Sequence, residues 1–439
     1  MTILQTPRSG PAAPVSEPDV QPLLADLASY DGYVREAALK RTAELRTPEL
    51  LPGVVARLND WVPQVRRRAQ DLVLDWLPAL DADPAIGLLG AVEPLRRARR
   101  SDHSAWLRAF EEAFVAHVGS ERIVHALASR ETGVARACFR LVEDYALADA
   151  ATRVRAALSN RTDIVLASRA AAALAGLEPA ERAALGRIAL GSRFGMVRAT
   201  ALRTLLADAP ADAEALAIGM LADPHAWTRL VASTCLERRG IASAPLYAER
   251  LAAPGASVRT LRACLAGLAE TGKEDDVGGV KTMTTHPSPR VRIDAYAAWL
   301  RLMPADRDAL TQCILADGAR RVRRLALVMR RKHGAYVPVE VALALLRQCG
   351  DVEMMLEYVE DDPWRLLAMI VELVPASRAD PALRARLGRE LARWSGGYAR
   401  LNDAQRVLLR QPETRAALFA LLGDDERCVR RLAYELDAL

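Results

Sequence analysis

The sequence predicts an all-α repeat array, on three observations. A Val-Arg-x-x-Ala pattern recurs at Val34-Arg35, Val65-Arg66, Val197-Arg198, Val258-Arg259, Val291-Arg292, Val322-Arg323 and Val429-Arg430, with degenerate copies at Arg136, Arg169 and Arg229. Neighbouring arginines stand 29 to 33 residues apart, except for gaps of 70 and 107 that read as two and three units. Apolar residues make up 51% of the chain but aromatics only 5%, so the core is built from Ala, Leu and Val, whose small side chains let helix axes approach closely. A fixed period of this size marks units that bury a hydrophobic face only by stacking on their neighbours.

Each part of the repeat has a physical reason. Positions −1 and +3 relative to the arginine share one helix face, so the Val and Ala form a narrow apolar stripe where helices meet. Position +3 is Ala at Ala38, Ala69, Ala172, Ala201, Ala232, Ala295, Ala326 and Ala433. Six residues before the arginine an aspartate recurs, at Asp60, Asp163, Asp223, Asp317 and Asp424, with His286 in the same slot before Arg292. That offset places the Asp in a turn and the Arg in the first turn of the next helix, where it opposes the helix dipole and needs a partner. The turn Asp of its own or the next repeat supplies one, giving a ladder of charge-assisted hydrogen bonds from Asp60, Arg66, Asp163, Arg169, Asp223, Arg229, Asp317, Arg323, Asp424 and Arg430.

The pattern resembles HEAT repeats: two antiparallel helices per unit, an Asp in the turn between them, and Val-Arg opening the second helix. The short bacterial HEAT-like units, also found in phycobilisome-lyase-type proteins, are the nearest in form. The resemblance implies a right-handed α-solenoid of about 13 hairpin repeats, and a scaffold, adaptor or assembly role with partners held along a concave face lined by second helices. It covers most of residues 21–439 and is specific for fold, not for function.

Along the chain, residues 1–20 read as a flexible tail with four prolines before Asp19 and no apolar leader. Residues 21–116 hold the N-terminal repeats. Among them, Trp106, Phe110 and Phe114 at i, i+4 and i+8 form one aromatic core face. Residues 117–334 are the most regular repeats, interrupted by a polar loop from Thr271 to Gly279. Residues 335–439 are divergent repeats, with units expected near Asp362-Pro363-Trp364 and Tyr398-Ala399-Arg400 and an end cap at the last helix. No apolar run reaches the ~18 residues of a membrane span, and a cytoplasmic location is expected. The six cysteines never form Cys-x-x-Cys, which argues against a zinc knuckle or disulfide framework.

Catalytic spacings are missing: there is no Gly-x-Ser-x-Gly, no phosphate-cradling Gly-rich loop and no His-Glu-x-x-His. The histidines are scattered over separate units, and no metal, cofactor or catalytic residue is expected. HEAT-like alkylpurine DNA glycosylases carry a Trp-x-x-x-Asp helix. Here the residues four after Trp61, Trp76, Trp106, Trp227, Trp299, Trp364 and Trp394 are Val65, Leu80, Phe110, Val231, Met303, Ala368 and Tyr398, none acidic.

What remains is charge clustering, since the net charge of +5 is small for 439 residues. Arg320, Arg321, Arg323, Arg324, Arg330, Arg331 and Lys332 lie between Gly318 and Gly334 with no acid among them. Glu340, Asp351, Glu353, Glu357, Glu360, Asp361 and Asp362 follow at once. The two patches could satisfy each other. Alternatively, Arg320, Arg321, Arg324, Arg330, Arg331 and Lys332 line the concave groove and bind an acidic protein segment or a phosphate backbone. The leading expectation is a non-catalytic protein-interaction scaffold, with nucleic-acid backbone binding as the alternative; the sequence does not indicate an oligomeric state.

Overall fold

A computed structural model describes residues 20–396 and 401–438. The unit expected at Tyr398-Ala399-Arg400 and nearly all of the N-terminal tail lie outside the described residues. Among the described residues every regular element is helical, and no helix is long and apolar enough to cross a membrane.

The chain forms two units, one of residues 1–220 and 227–239, the other of residues 221–226 and 240–439. In the first, Val20–Leu27 packs on Gly32–Leu45, which in turn packs on Pro63–Trp76. Further along, Pro179–Leu190 pairs with Gly195–Ala207, and Gly195–Ala207 stacks on Ile164–Ala173. The second unit repeats this scheme: Ser243–Ala252 pairs with Val258–Thr271, which stacks on Pro289–Leu302, and Arg307–Leu315 pairs with Leu325–His333. First helix on second, and second on the next second, is the hairpin stacking of HEAT-like repeats, so each unit is an α-solenoid.

The Val/Ala stripe is where the helices meet. Val65 and Ala69, Val197 and Ala201, Val291 and Ala295, and Val322 and Ala326 are fully buried. Three motif copies are out of register. At Val429-Arg430, Val429 and Ala433 are half-buried and Leu432 and Leu436 take the buried places. At Arg169 the arginine and Ala172 are both exposed, and Leu166 and Ala170 take the buried places. At Val258-Arg259 the helix begins one residue after its Ser257 cap, so Val258 and Arg259 are exposed; Leu261 and Leu265 are buried and Arg262 stands in the arginine's place.

The aromatic face at Trp106, Phe110 and Phe114 lies on Ser104–Val118, with successive ring centroids 5.4 and 5.8 Å apart and both Phe side chains fully buried. Gly119, at φ +83°, ends that helix, so His117 and His125 stand on different helices. The Thr271 to Gly279 segment is more ordered than a polar loop. A 3₁₀ turn at Glu274–Asp276 is capped by the Lys273 N–H donating to Asp276, and the Val277–Thr282 helix starts within it. Gly267 is required by packing, because a Cβ there would meet the Tyr247 ring at 2.2 Å.

Candidate partner-binding surfaces

The arginines of the repeat are held between two partners. Arg35 donates to the Asp60 carboxylate from Nε and Nη2 at 2.9 and 2.8 Å, and Arg136 to Asp163 at 2.6 and 3.0 Å. Arg292 reaches Asp317 at 2.7 Å from both nitrogens, and Arg323 Nε reaches Asp351 at 2.9 Å. Each carboxylate belongs to the following repeat, 25 to 28 residues on. The free Nη1 turns back to the arginine's own turn, donating to the carbonyl six residues earlier in Arg35, Arg66, Arg198, Arg292 and Arg323. The aspartate meanwhile fixes its turn by accepting the N–H two residues ahead, as Asp60, Asp163, Asp223 and Asp317 do. His286 does the same through Nδ1 to the Ser288 N–H, which explains how a histidine fills an aspartate slot.

Charge-assisted bidentate bonds of this kind bias both partners toward ionisation. Burial pushes the Asp163 carboxyl up, but the Arg136 hydrogen bond and the Val165 N–H outweigh it and hold the group below its ordinary value. The Asp163 hydrogen bond raises Arg136, and the Asp317 hydrogen bond raises Arg292.

The expected ladder is therefore corrected in its pairing. Arg66 meets only the backbone oxygen of Asp60, whose carboxylate belongs to Arg35. Asp163 pairs with Arg136, while Arg169 is exposed and lies over the Phe139 ring at 5.8 Å. Asp317 pairs with Arg292, not Arg323. Asp223 and Arg229 are buried. Arg430 leaves the ladder: it is exposed and pairs with Glu426 one helical turn away, and Asp424 is exposed too. Asp351 is a rung that the motif search missed. It lies beyond the last regular copy, yet its interval from Arg323 matches the other next-repeat pairs.

The basic strip occupies Arg320–Arg323 and Leu325–His333, the second-helix position of its hairpin. It faces the acids of the next second helix, Val352–Val359, and of the turn after it. Arg320 pairs with Glu353 and lies 3.7 Å from Glu357; Arg324 reaches Glu357 at 3.5 Å. Arg330 pairs with Asp361 and Arg331 with Glu360. Including Arg323, five of the seven cations are compensated within the fold, and Arg321 and Lys332 form no ion pair among the described residues.

Two grooves stand out. In the first unit, one of ≈ 1070 Å³ runs over first helices Ala82–Gly87, Ser120–His125 and Ala150–Ser159, with Asp83, Arg122, His125, Glu131 and Arg155 on its walls. In the second, one of ≈ 670 Å³ lies on second helices Val258–Thr271 and Pro289–Leu302, floored by Ala266, Ala269, Ala297 and Leu300 and rimmed by Arg301, Arg307 and His333. The sequence did not single out this groove, whose alanines carry no charge or motif.

Among the described residues, no three His, Cys, Asp or Glu side chains are placed to hold a metal. His103 sits in a closed network with Gln70, Asn59 and Ser101, and burial, with the Arg66 charge, lowers its pKa. Such a histidine serves the packing of its neighbours.

No family model and no curated protein matches the chain. Solved structures similar to it include the karyopherin Kap121p bound to the extreme C-terminus of the protein phosphatase Cdc14p, at 14% identity over 87% of this chain and 46% of that one, with a TM-score of 0.30. A triple mutant of Kap121p matches at 13% identity over 95% of this chain and 54% of that one, with a TM-score of 0.33. An engineered protein matches at 14% identity over 95% and 99% of the two chains, with a TM-score of 0.18. The chain thus spans about half the length of the karyopherin chains it matches. Its own stacked hairpins and its ladder from Arg35, Arg136, Arg292 and Arg323 to the next repeat's aspartate make it an all-α protein of HEAT-like repeats.

Proposed function

We propose that this chain is a non-catalytic protein-interaction scaffold that holds a partner on the second-helix face of its second unit. The observation that carries the reading is the pairing of the basic strip. A phosphate-binding surface needs cations whose counterions can be displaced. Here most of the strip already faces carboxylates of the next helix, leaving a surface of mixed sign beside an apolar groove. Mixed polar rims around apolar centres are the anatomy of protein interfaces.

The experiment is a titration of the full chain against fluorescein-labelled duplex and single-stranded DNA and RNA between about 50 and 200 mM salt. The scaffold reading expects only weak binding at the low-salt end, unchanged by converting Arg320, Arg324 and Arg331 together to Glu. Tight binding that falls steeply with salt and is lost in the triple variant would replace it with the nucleic-acid reading.

A further inference from the structure

We infer that the groove on Val258–Thr271 and Pro289–Leu302 takes an amphipathic helix of a partner protein, apolar on one face and acidic along its flank. This rests on the scaffold reading and names the chemistry of its partner. Its lining is largely small and apolar, with Ala266, Ala269, Ala297 and Ala298 beside Leu265 and Leu300. Methyl side chains leave depth for large apolar groups arriving from outside, and Ala297 in the lining is exposed. Helices dock in such troughs through anchors at i, i+3 or i+4, and i+7.

The rim sets the sign of the partner. Of its two carboxylates, Asp294 is taken by Arg262 at 2.6 Å, and Glu270 is engaged within the fold. On the cationic side, Arg301 forms no ion pair among the described residues. Arg307 has only Asp308, at 3.6 Å, and that carboxylate also accepts the Tyr336 N–H. The groove thus presents Arg301 without an ion pair and Arg307 only loosely compensated beside an apolar floor, unlike the neighbouring strip, most of whose arginines face their own acids.

The rim is also fixed before a partner arrives. Asp306, two residues beyond Pro304, accepts from the Trp299 indole at 2.7 Å and from Lys281 Nζ at 3.1 Å, and Lys281 lies over the Trp299 ring at 4.3 Å. A preformed edge spares the complex the cost of ordering a loop.

The test uses the full chain and two sets of labelled helical peptides of about 18 residues, leucine-striped in both the i, i+3, i+7 and i, i+4, i+7 registers. One set carries Glu on its flanks and the other Lys, and binding is read by fluorescence anisotropy. The proposal expects an acidic peptide to bind at least tenfold more tightly than its Lys counterpart. It expects Ala297→Arg, on an exposed position, to abolish that binding, and Arg301→Glu with Arg307→Glu to reverse the preference. Equal binding of both sets, no binding of either, or binding that survives Ala297→Arg overturns it. Self-association of the chain that Ala297→Arg removes would assign the groove to a second copy and overturn it as well. A photo-cross-linker at Ala297 separates the two claims. A host protein captured there while both peptide sets fail leaves the scaffold standing and this occupant wrong.

Discussion

Asp163 shows what one residue of the repeat does. Its carboxylate closes its own turn through the Val165 N–H, caps the helix that follows and receives both nitrogens of Arg136 from the repeat before. Three duties converge on two oxygens, and its pKa falls below the ordinary 3.8 despite burial. A carboxylate depressed in the folded state adds stability that is complete above its unfolded pKa and is lost as pH falls through its folded one. Asp163→Asn should therefore lower stability near neutral pH and flatten the loss below about pH 4, read from urea midpoints across pH. An unchanged acid limb would mean that the rung is not titrating. The sequence marked this aspartate correctly but left its partner open between the arginine of its own repeat, Arg169, and that of the repeat before. The choice is physical: an arginine six residues on can reach the turn's carbonyl, as Arg66 does, whereas the carboxylate meets the arginine of the preceding repeat.

At the scale of the helix, the Val-Arg-x-x-Ala pattern located most second helices and their contact stripe, because small side chains at −1 and +3 are what close stacking demands. It failed at Arg169 and Val258-Arg259. There an Asp163 or Ser257 cap sits directly against the helix, and the buried face shifts by two or three residues. Packing decides the register, and the motif is only its usual signature. Two substitutions of the same kind separate packing from motif. Ala295→Leu enters a fully buried contact and should cost on the order of 1–3 kcal/mol by overpacking. Ala172→Leu, at the same motif position but exposed, should be nearly neutral, within about 0.5 kcal/mol. Thermal melts check both, and equal effects would count against the stripe. The charge reversal after Gly334 was also legible, as was the option that the two patches neutralise each other. The groove was not legible, since Ala266, Ala269 and Ala297 read as ordinary packing residues until the helices stand side by side.

At the scale of the whole molecule, Arg35, Arg136, Arg292 and Arg323 fasten consecutive repeats, and what departs from the repeat is left to meet other molecules. The departures are the compensated strip and the alanine-floored groove with Arg301 and Arg307 on its rim. The fastening is most directly tested by a double-mutant cycle on Arg292→Leu and Asp317→Asn, followed by urea unfolding. Each single change leaves a largely buried partner without its ion and should cost about 3–5 kcal/mol. If the two residues act on each other, the double variant should lose less than the sum, with a coupling of about 1–3 kcal/mol. Strictly additive losses would contradict the account, because the arginine would then be holding something other than the next repeat's aspartate.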